Sequence, residues 1–144
     1  MRSDADLMQR SLAAAASHEP AMRAALFERF FARYPDRRQI FLHVEATSVR
    51  MTSETLAWML GLAQGEGWVW GQIAELVFQH RNYGHLPAQE YADFVTMTID
   101  ALGDAARPEW SEATATAWRR HAASLNALIE KAIGEWTESP LSYP

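Results

Sequence analysis

The sequence predicts an all-α fold of about seven helices of unequal length. Apolar side chains recur every three or four residues through most of the chain, the period of a helix with one buried face. No segment sustains the alternation of a half-buried strand; only Trp68 to Trp70 could pass for one, and it is too short to build a sheet. No repeat unit recurs along the chain. Several apolar stripes are wider than a coiled-coil seam, so oblique packing around a shared centre is expected rather than a regular bundle.

The first helix is expected over residues 3 to 16, with Ser3 as cap, Asp6 at the third helical position and an alanine run from Ala13 to Ala16. Ser17 to Pro20 mark a new start. From Ala21 the positions Leu26, Phe27, Phe30, Phe31 and Tyr34 form a second stripe, which Pro35 interrupts before a short helical turn over 36 to 42. Ser48, Thr52 and Ser53 can each cap the next helix, so its start is expected between about 46 and 53. Its body carries Thr55, Leu56, Met59, Leu60 and Ala63 on one face and ends at Gly65 and Gly67. A helix carrying Ile73, Leu76, Val77 and His80 follows, and Asn82-Tyr83-Gly84 reads as its stop. Pro87 falls in the first turn of the next, where Tyr91, Phe94, Val95, Thr98, Ile99 and Leu102 line up before Gly103. After a break at Arg107-Pro108-Glu109 the last helix starts near Ser111 and turns Trp118, His121, Leu125, Leu128, Ile129, Ala132 and Ile133 inward. The tail from Thr137 holds two prolines and is expected to fray or lie on the surface.

A chain of 144 residues fits one domain, 1–144, with a core able to enclose a cofactor. A net charge of -5 and a pI near 5.5 speak against nucleic acid or an anionic membrane as partner. No apolar run reaches the ~18 residues of a membrane span. Arg2, Asp4 and Asp6 precede any apolar stretch, unlike a secretory signal, so a cytoplasmic location is expected. Cysteine is absent, which excludes disulfides, thiol catalysis and thiolate metal sites. The sequence has no H-E-x-x-H, no glycine-rich phosphate loop and no nucleophile elbow, so hydrolysis has no visible apparatus. Six Trp, six Phe and four Tyr can fill a core or line a large flat ligand.

His80 is the residue around which a site can form. It follows Val77 by three positions and Leu76 by four, so it shares their apolar face at the end of a short helix. Taken alone, that placement suits a core histidine bonded to backbone as well as a ligand. An ordered set of motifs bears on the choice. Leu26-Phe27 with Phe30 leads to Tyr34-Pro35; Phe41 follows seven residues after Tyr34; Leu56-Ala57 runs to Ala63; His80 precedes Tyr83-Gly84 and Pro87, then Tyr91 and Phe94. Over roughly residues 20 to 136 this order resembles the globin family, in the style of bacterial single-domain globins and the haem domain of flavohaemoglobins.

The resemblance implies a globin-like fold around a haem b group, iron protoporphyrin IX, with His80 as the axial ligand to iron. Phe41 then packs flat on the porphyrin, and Leu56, Leu76 and Phe27 line the pocket. The neutral imidazole needs an acceptor on its other ring nitrogen. The carbonyl of Leu76 or Val77, Tyr91 and, more weakly, Glu130 are the candidates, although one more residue separates Pro87 from Tyr91 than in the usual bacterial pattern. On the distal side the resemblance places Thr52 where globins carry His or Gln, or Met51 if the register slips by one. Phe27, Met51 and Thr52 are poor donors to a bound ligand. His43 and Trp58 are therefore the polar groups able to compensate, and His43 is a candidate sixth ligand. Arg50, Arg81, His85 and Tyr83 fall near the expected mouth, where cations can hold the propionates.

The expected function is reversible binding of O2 or another diatomic gas such as NO or CO. Turnover as an NO dioxygenase would require a separate reductase. The alternative is a haem-based or haem-free sensor acting through protein contacts, with Trp110 and Trp136 able to serve a homodimer face. Peroxidase-like chemistry ranks below both, since only His43 or Arg50 offers distal acid–base help.

Overall fold

A computed structural model of the chain describes residues 2–138. Among these residues there are six α-helices, three 3-10 segments and no strand. α1 (Asp4–Ala15) starts in a reciprocal cap: the Ser3 hydroxyl accepts the Asp6 N–H at 3.1 Å and the Asp6 carboxylate accepts the Ser3 N–H at 3.4 Å. A 3-10 turn over Ala16–His18 leads into α2 (Glu19–Arg33), with Pro20 in its first turn. A second 3-10 segment, Pro35–Ile40, occupies most of the expected turn over 36 to 42.

α3 runs Val44–Ala63 and so begins earlier than any of the three expected caps. The hydroxyl residues lie inside the helix instead. Ser48 donates to the Val44 carbonyl and so bonds back one turn rather than capping a new start, and Thr55 in the helix body bonds the Met51 carbonyl in the same way. The C-terminus closes as foreseen: Gly65 takes φ +72°, Glu66 N–H reaches the Gly61 carbonyl at 2.9 Å, and Gly65 N–H reaches that of Leu62 at 3.2 Å. α4 (Val69–His80) contains most of the stretch that could pass for a strand; Trp68 is its N-cap and Trp70 lies in its first turn. A 3-10 turn, Arg81–Tyr83, follows it, and Gly84 at φ +91° redirects the chain.

Pro87 is the N-cap of α5 (Ala88–Ala105), one position outside the first turn. This helix passes through Gly103 instead of stopping there. A Cβ at Gly103 would lie 2.9 Å from the Trp110 ring, so the glycine serves close packing and not termination. α6 (Glu112–Glu138) extends through Thr137, and the remainder of the expected tail, 139–144, lies outside the described residues.

α6 packs against α1, α3, α4 and α5, while α2 lies mainly on α5. The larger apolar cluster centres on Met8, Met59, Ile73, Leu102, Trp118 and Leu125. A second, aromatic cluster joins Leu26, Phe27 and Phe30 of α2 to Phe94 and Met97 of α5, with Phe31, Tyr34, Phe41 and Met51 at its edge. Polar ties fix the helices to one another. Trp118 donates to Ser11 at 2.9 Å in the interior, Arg23 of α2 reaches Glu45 of α3 at 2.9 Å, and the Tyr34 phenol donates to Asp93 of α5. His121 meets Asp4 at 3.0 Å and is half-buried, as its face on the last helix implies. No helix among the described residues is long and apolar enough to cross a membrane.

Candidate functional site

Between the two clusters α2, α3, α4, α5 and α6 line a part-open inner cavity of about 70 Å³. It opens into a mouth of about 330 Å³. The mouth lies at the lower end of the range of about 300–1,000 Å³ usual for small-molecule pockets, and the inner cavity extends it. The inner walls are largely apolar: Phe30, Met51, Leu76, Leu86, Phe94 and Ile129 line them.

His80 stands on this wall because α4 ends there and its last turn carries Leu76 and His80 on one face. Its Nδ1 lies 3.0 Å from the Tyr91 hydroxyl, and the two rings stack at 5.6 Å with 20° between planes. The extra residue before Tyr91 therefore does not keep it from His80. With the proton on Nδ1, that nitrogen donates to Tyr91 Oη and Nε2 keeps its lone pair for a ligand. Burial pushes the His80 imidazole below its ordinary range; Glu90 opposes that shift and Arg50 adds to it. The Tyr91 phenol is pushed up, chiefly by burial and further by Glu90, and stays protonated. Glu130, the second expected acceptor, is exposed on α6 and lines neither space.

The α3 wall corrects the distal register. Met51, Glu54, Thr55 and Trp58, spaced i, i+3, i+4 and i+7, face the inner cavity. Thr52 and Leu56 are each one residue further on, about 100° around the helix, and do not line it. Leu56 joins the larger core, and Thr52 is buried with no hydrogen-bond partner for its hydroxyl among the described residues. Phe27 is likewise absent from the cavity wall. It packs on Phe30, Phe31, Phe41 and Phe94, and Phe30, three residues on, takes the wall position. Trp58 reaches the cavity, but its indole N–H is committed to Gln72 at 2.8 Å. The Thr55 hydroxyl is committed in the same way to the Met51 carbonyl.

Arg50 and Tyr83 line the mouth, and Phe41 and His43 line it with them. Arg81 does not. It turns to the opposite side of α4, where its guanidinium lies 5.7 Å from the Phe78 ring and 5.8 Å from the Trp136 ring, and it lines a recess behind His80 together with His85.

Two carboxylates complete the site, and neither is among the residues singled out from the sequence. Glu90 is buried and lines both spaces, held by the Arg37 guanidinium through two bonds of 2.7 and 2.8 Å. Only a contact between residues 53 positions apart explains an acid in that place. Glu54 also lines both spaces and meets only Arg50, at 3.7 Å, in an open, screened pair. Its apolar-face spacing from Met51 and Trp58 is the one hint that could have found it.

The donor set fits a group held by a single histidine in an apolar cavity. One imidazole has its second nitrogen satisfied, the walls are apolar, and Arg50 stands at the mouth, where it could meet an acidic substituent. Among the described residues no group of three or more His, Asp or Glu is placed to hold a bare metal ion. No protein-family model matches the chain, and no curated protein matches it by sequence.

Proposed function

We propose that the protein is a globin-like, haem b-binding protein that reversibly binds O2 or another diatomic gas, with His80 as the axial ligand. The observation that carries this reading is the His80–Tyr91 pair: an imidazole on the wall of an apolar cavity, fixed through Nδ1 and with Nε2 available. The order of helices supports it too, since a short 3-10 segment after α2 and a histidine at the end of α4 follow the globin arrangement. Haem, when bound, supplies an iron atom whose remaining axial position can take a diatomic ligand.

The chain's own residues set the conditions around that atom. Phe30, Met51, Leu76 and Leu86 exclude water, Phe41 closes the mouth, and Arg50 holds a propionate by charge, with His43 beside it as a hydrogen-bonding group. Tyr91 fixes the imidazole ring and its tautomer. On α3 the Thr55 and Trp58 donors are already spent, and Met51 has none, so a bound O2 receives little polar stabilisation. That lowers affinity for O2 relative to CO. Conversion of NO would need a separate reductase, and a cytoplasmic setting suits a protein with these properties.

Titration of the apoprotein with haemin tests the reading. One equivalent is expected to give a Soret band that shifts on reduction and again on CO addition. His80→Ala should lose that form, and Tyr91→Phe should retain it with weaker haem retention, by roughly tenfold. A folded wild-type protein that stays colourless rejects gas binding.

A second reading, a regulator acting through protein contacts, draws on the outer side of α4. Phe78, two positions before His80, is 42% exposed and packs on Trp136 with ring centroids 4.6 Å apart and planes tilted by 40°, so a shift of His80 would be felt at that surface.

A further inference from the structure

The α3 register turns one further metal-binding group toward the cavity, the thioether of Met51. Met51 and His80 stand on different helices, and each lines both the inner cavity and the mouth. The inner space is only about 70 Å³, so a group held by His80 there meets the side chains of the α3 wall. Met51 is half-buried against the edge of the aromatic cluster. Its backbone carbonyl is tied down by the Thr55 hydroxyl at 2.7 Å, while its unbranched side chain keeps three rotatable bonds.

The other lone pairs on these walls are engaged or badly placed. Arg37 meets both oxygens of Glu90. The Glu54 side chain is 39% exposed and paired with Arg50. The Tyr91 oxygen faces Nδ1 of His80, and burial keeps the phenol protonated. Thr55 offers only a neutral hydroxyl already bonded to a carbonyl, and the Trp58 indole nitrogen is a donor with no lone pair for a metal. His43 is exposed and lines the mouth but not the inner cavity. A thioether needs no deprotonation, and thioether with imidazole is an established axial pair for haem iron.

We infer that the Met51 sulfur is the second axial ligand of iron held by His80, and that a gas must displace it. The inference rests on the haem reading proposed above, and it gives Met51 the role that the sequence offered to His43. A thioether opposite the imidazole fills the remaining axial position and raises the reduction potential of the iron. With the sulfur bound about nine-tenths of the time, apparent gas affinity falls roughly tenfold.

The test records ferric and ferrous spectra of haem-loaded wild type, Met51→Leu, His43→Ala and wild type labelled with selenomethionine. Leucine nearly conserves the volume of Met51. Among the described residues Met51 is the one methionine that lines either space, so a selenium effect reports on it. Wild type is expected to be low-spin, with the weak sulfur-to-iron charge-transfer band in its ferric form. Selenium should move that band, and His43→Ala should leave it in place. Met51→Leu should lose it, become high-spin with a lower reduction potential, and bind CO roughly tenfold more tightly. A high-spin wild type without the band overturns the assignment. So does a low-spin form that survives Met51→Leu, or a band indifferent to selenium. Circular dichroism of the apo forms checks folding, and if Met51→Leu does not fold, the selenium comparison decides alone. Without a Soret band that depends on His80, the haem reading falls and this inference with it. A His80-dependent band whose spin state ignores Met51→Leu overturns Met51 alone.

Discussion

At the scale of single residues, the site depends on polar groups that satisfy one another inside an apolar wall. Glu90 is the strongest example. At 8% exposure its two carboxylate oxygens are both met by Arg37. Arg37→Ala leaves that carboxylate buried without its cation and should cost about 2–4 kcal/mol of stability. The double variant Arg37→Met/Glu90→Met should recover much of the loss, as urea unfolding of both will show. If the single variant costs no more than the double, the pair is not coupled. Thr52 marks the limit of what sequence can reveal at this scale. Its spacing from Leu56 is sound, and both are buried, but spacing alone could not settle which of two adjacent helical registers faces the cavity. Met51 and Thr55 hold that position, a rotation of one residue.

At the scale of elements, the helices were legible wherever an apolar stripe met a clear stop. Gly65, Gly84 and the Ser3–Asp6 cap all behave as their residue types imply. Elements were misread where a side chain had a tertiary use. Ser48 has the residue type of a cap but bonds back to its own helix, and Gly103 looks like a stop but makes room for Trp110. Such uses depend on a neighbour distant in sequence and leave no local pattern. Gly103→Ala puts a methyl group 2.9 Å from the Trp110 ring and should destabilise the fold by about 1–3 kcal/mol despite alanine's better helix propensity. Thermal unfolding checks this; an unchanged or raised Tm would mean that Trp110 moves aside freely. Gly61 is in the same position against Trp68 and Val69, where α3 and α4 meet.

At the scale of the whole molecule, the three acid-sensitive groups act in one direction. Burial lowers the His80 pKa from 6.5, so on acidification the unfolded chain takes up that proton before the folded one does. Stability from this group is full above about pH 6.5 and falls as the pH drops towards the folded value. Asp4 is held below its ordinary 3.8, first by the Arg120 hydrogen bond and further by His121, and Asp93 first by Tyr34 and further by Gln89. Their contributions are present at neutral pH and are lost only as the pH falls through about 3.8 and below. Tm should therefore decline in two stages on acidification, and His80→Gln should remove the upper stage while leaving the lower. A single decline confined to strongly acid pH would place His80 in water. The overall all-helical architecture was legible from stripe periodicity, whereas the pairing of Arg37 with Glu90, and the turn of Arg81 away from the mouth onto Phe78, required the assembled molecule.

On the function proposed above, the Nε2 of His80 is offered to iron inside this cavity. The most direct measurement is the ferrous-minus-CO difference spectrum of haem-loaded wild type, of His80→Gly, and of His80→Gly with imidazole added. The account predicts a CO-sensitive Soret change in wild type, its loss in the variant, and its return when free imidazole refills the space. An unaltered difference spectrum in His80→Gly would contradict it, since iron would then be held by some other group or not held by the protein at all.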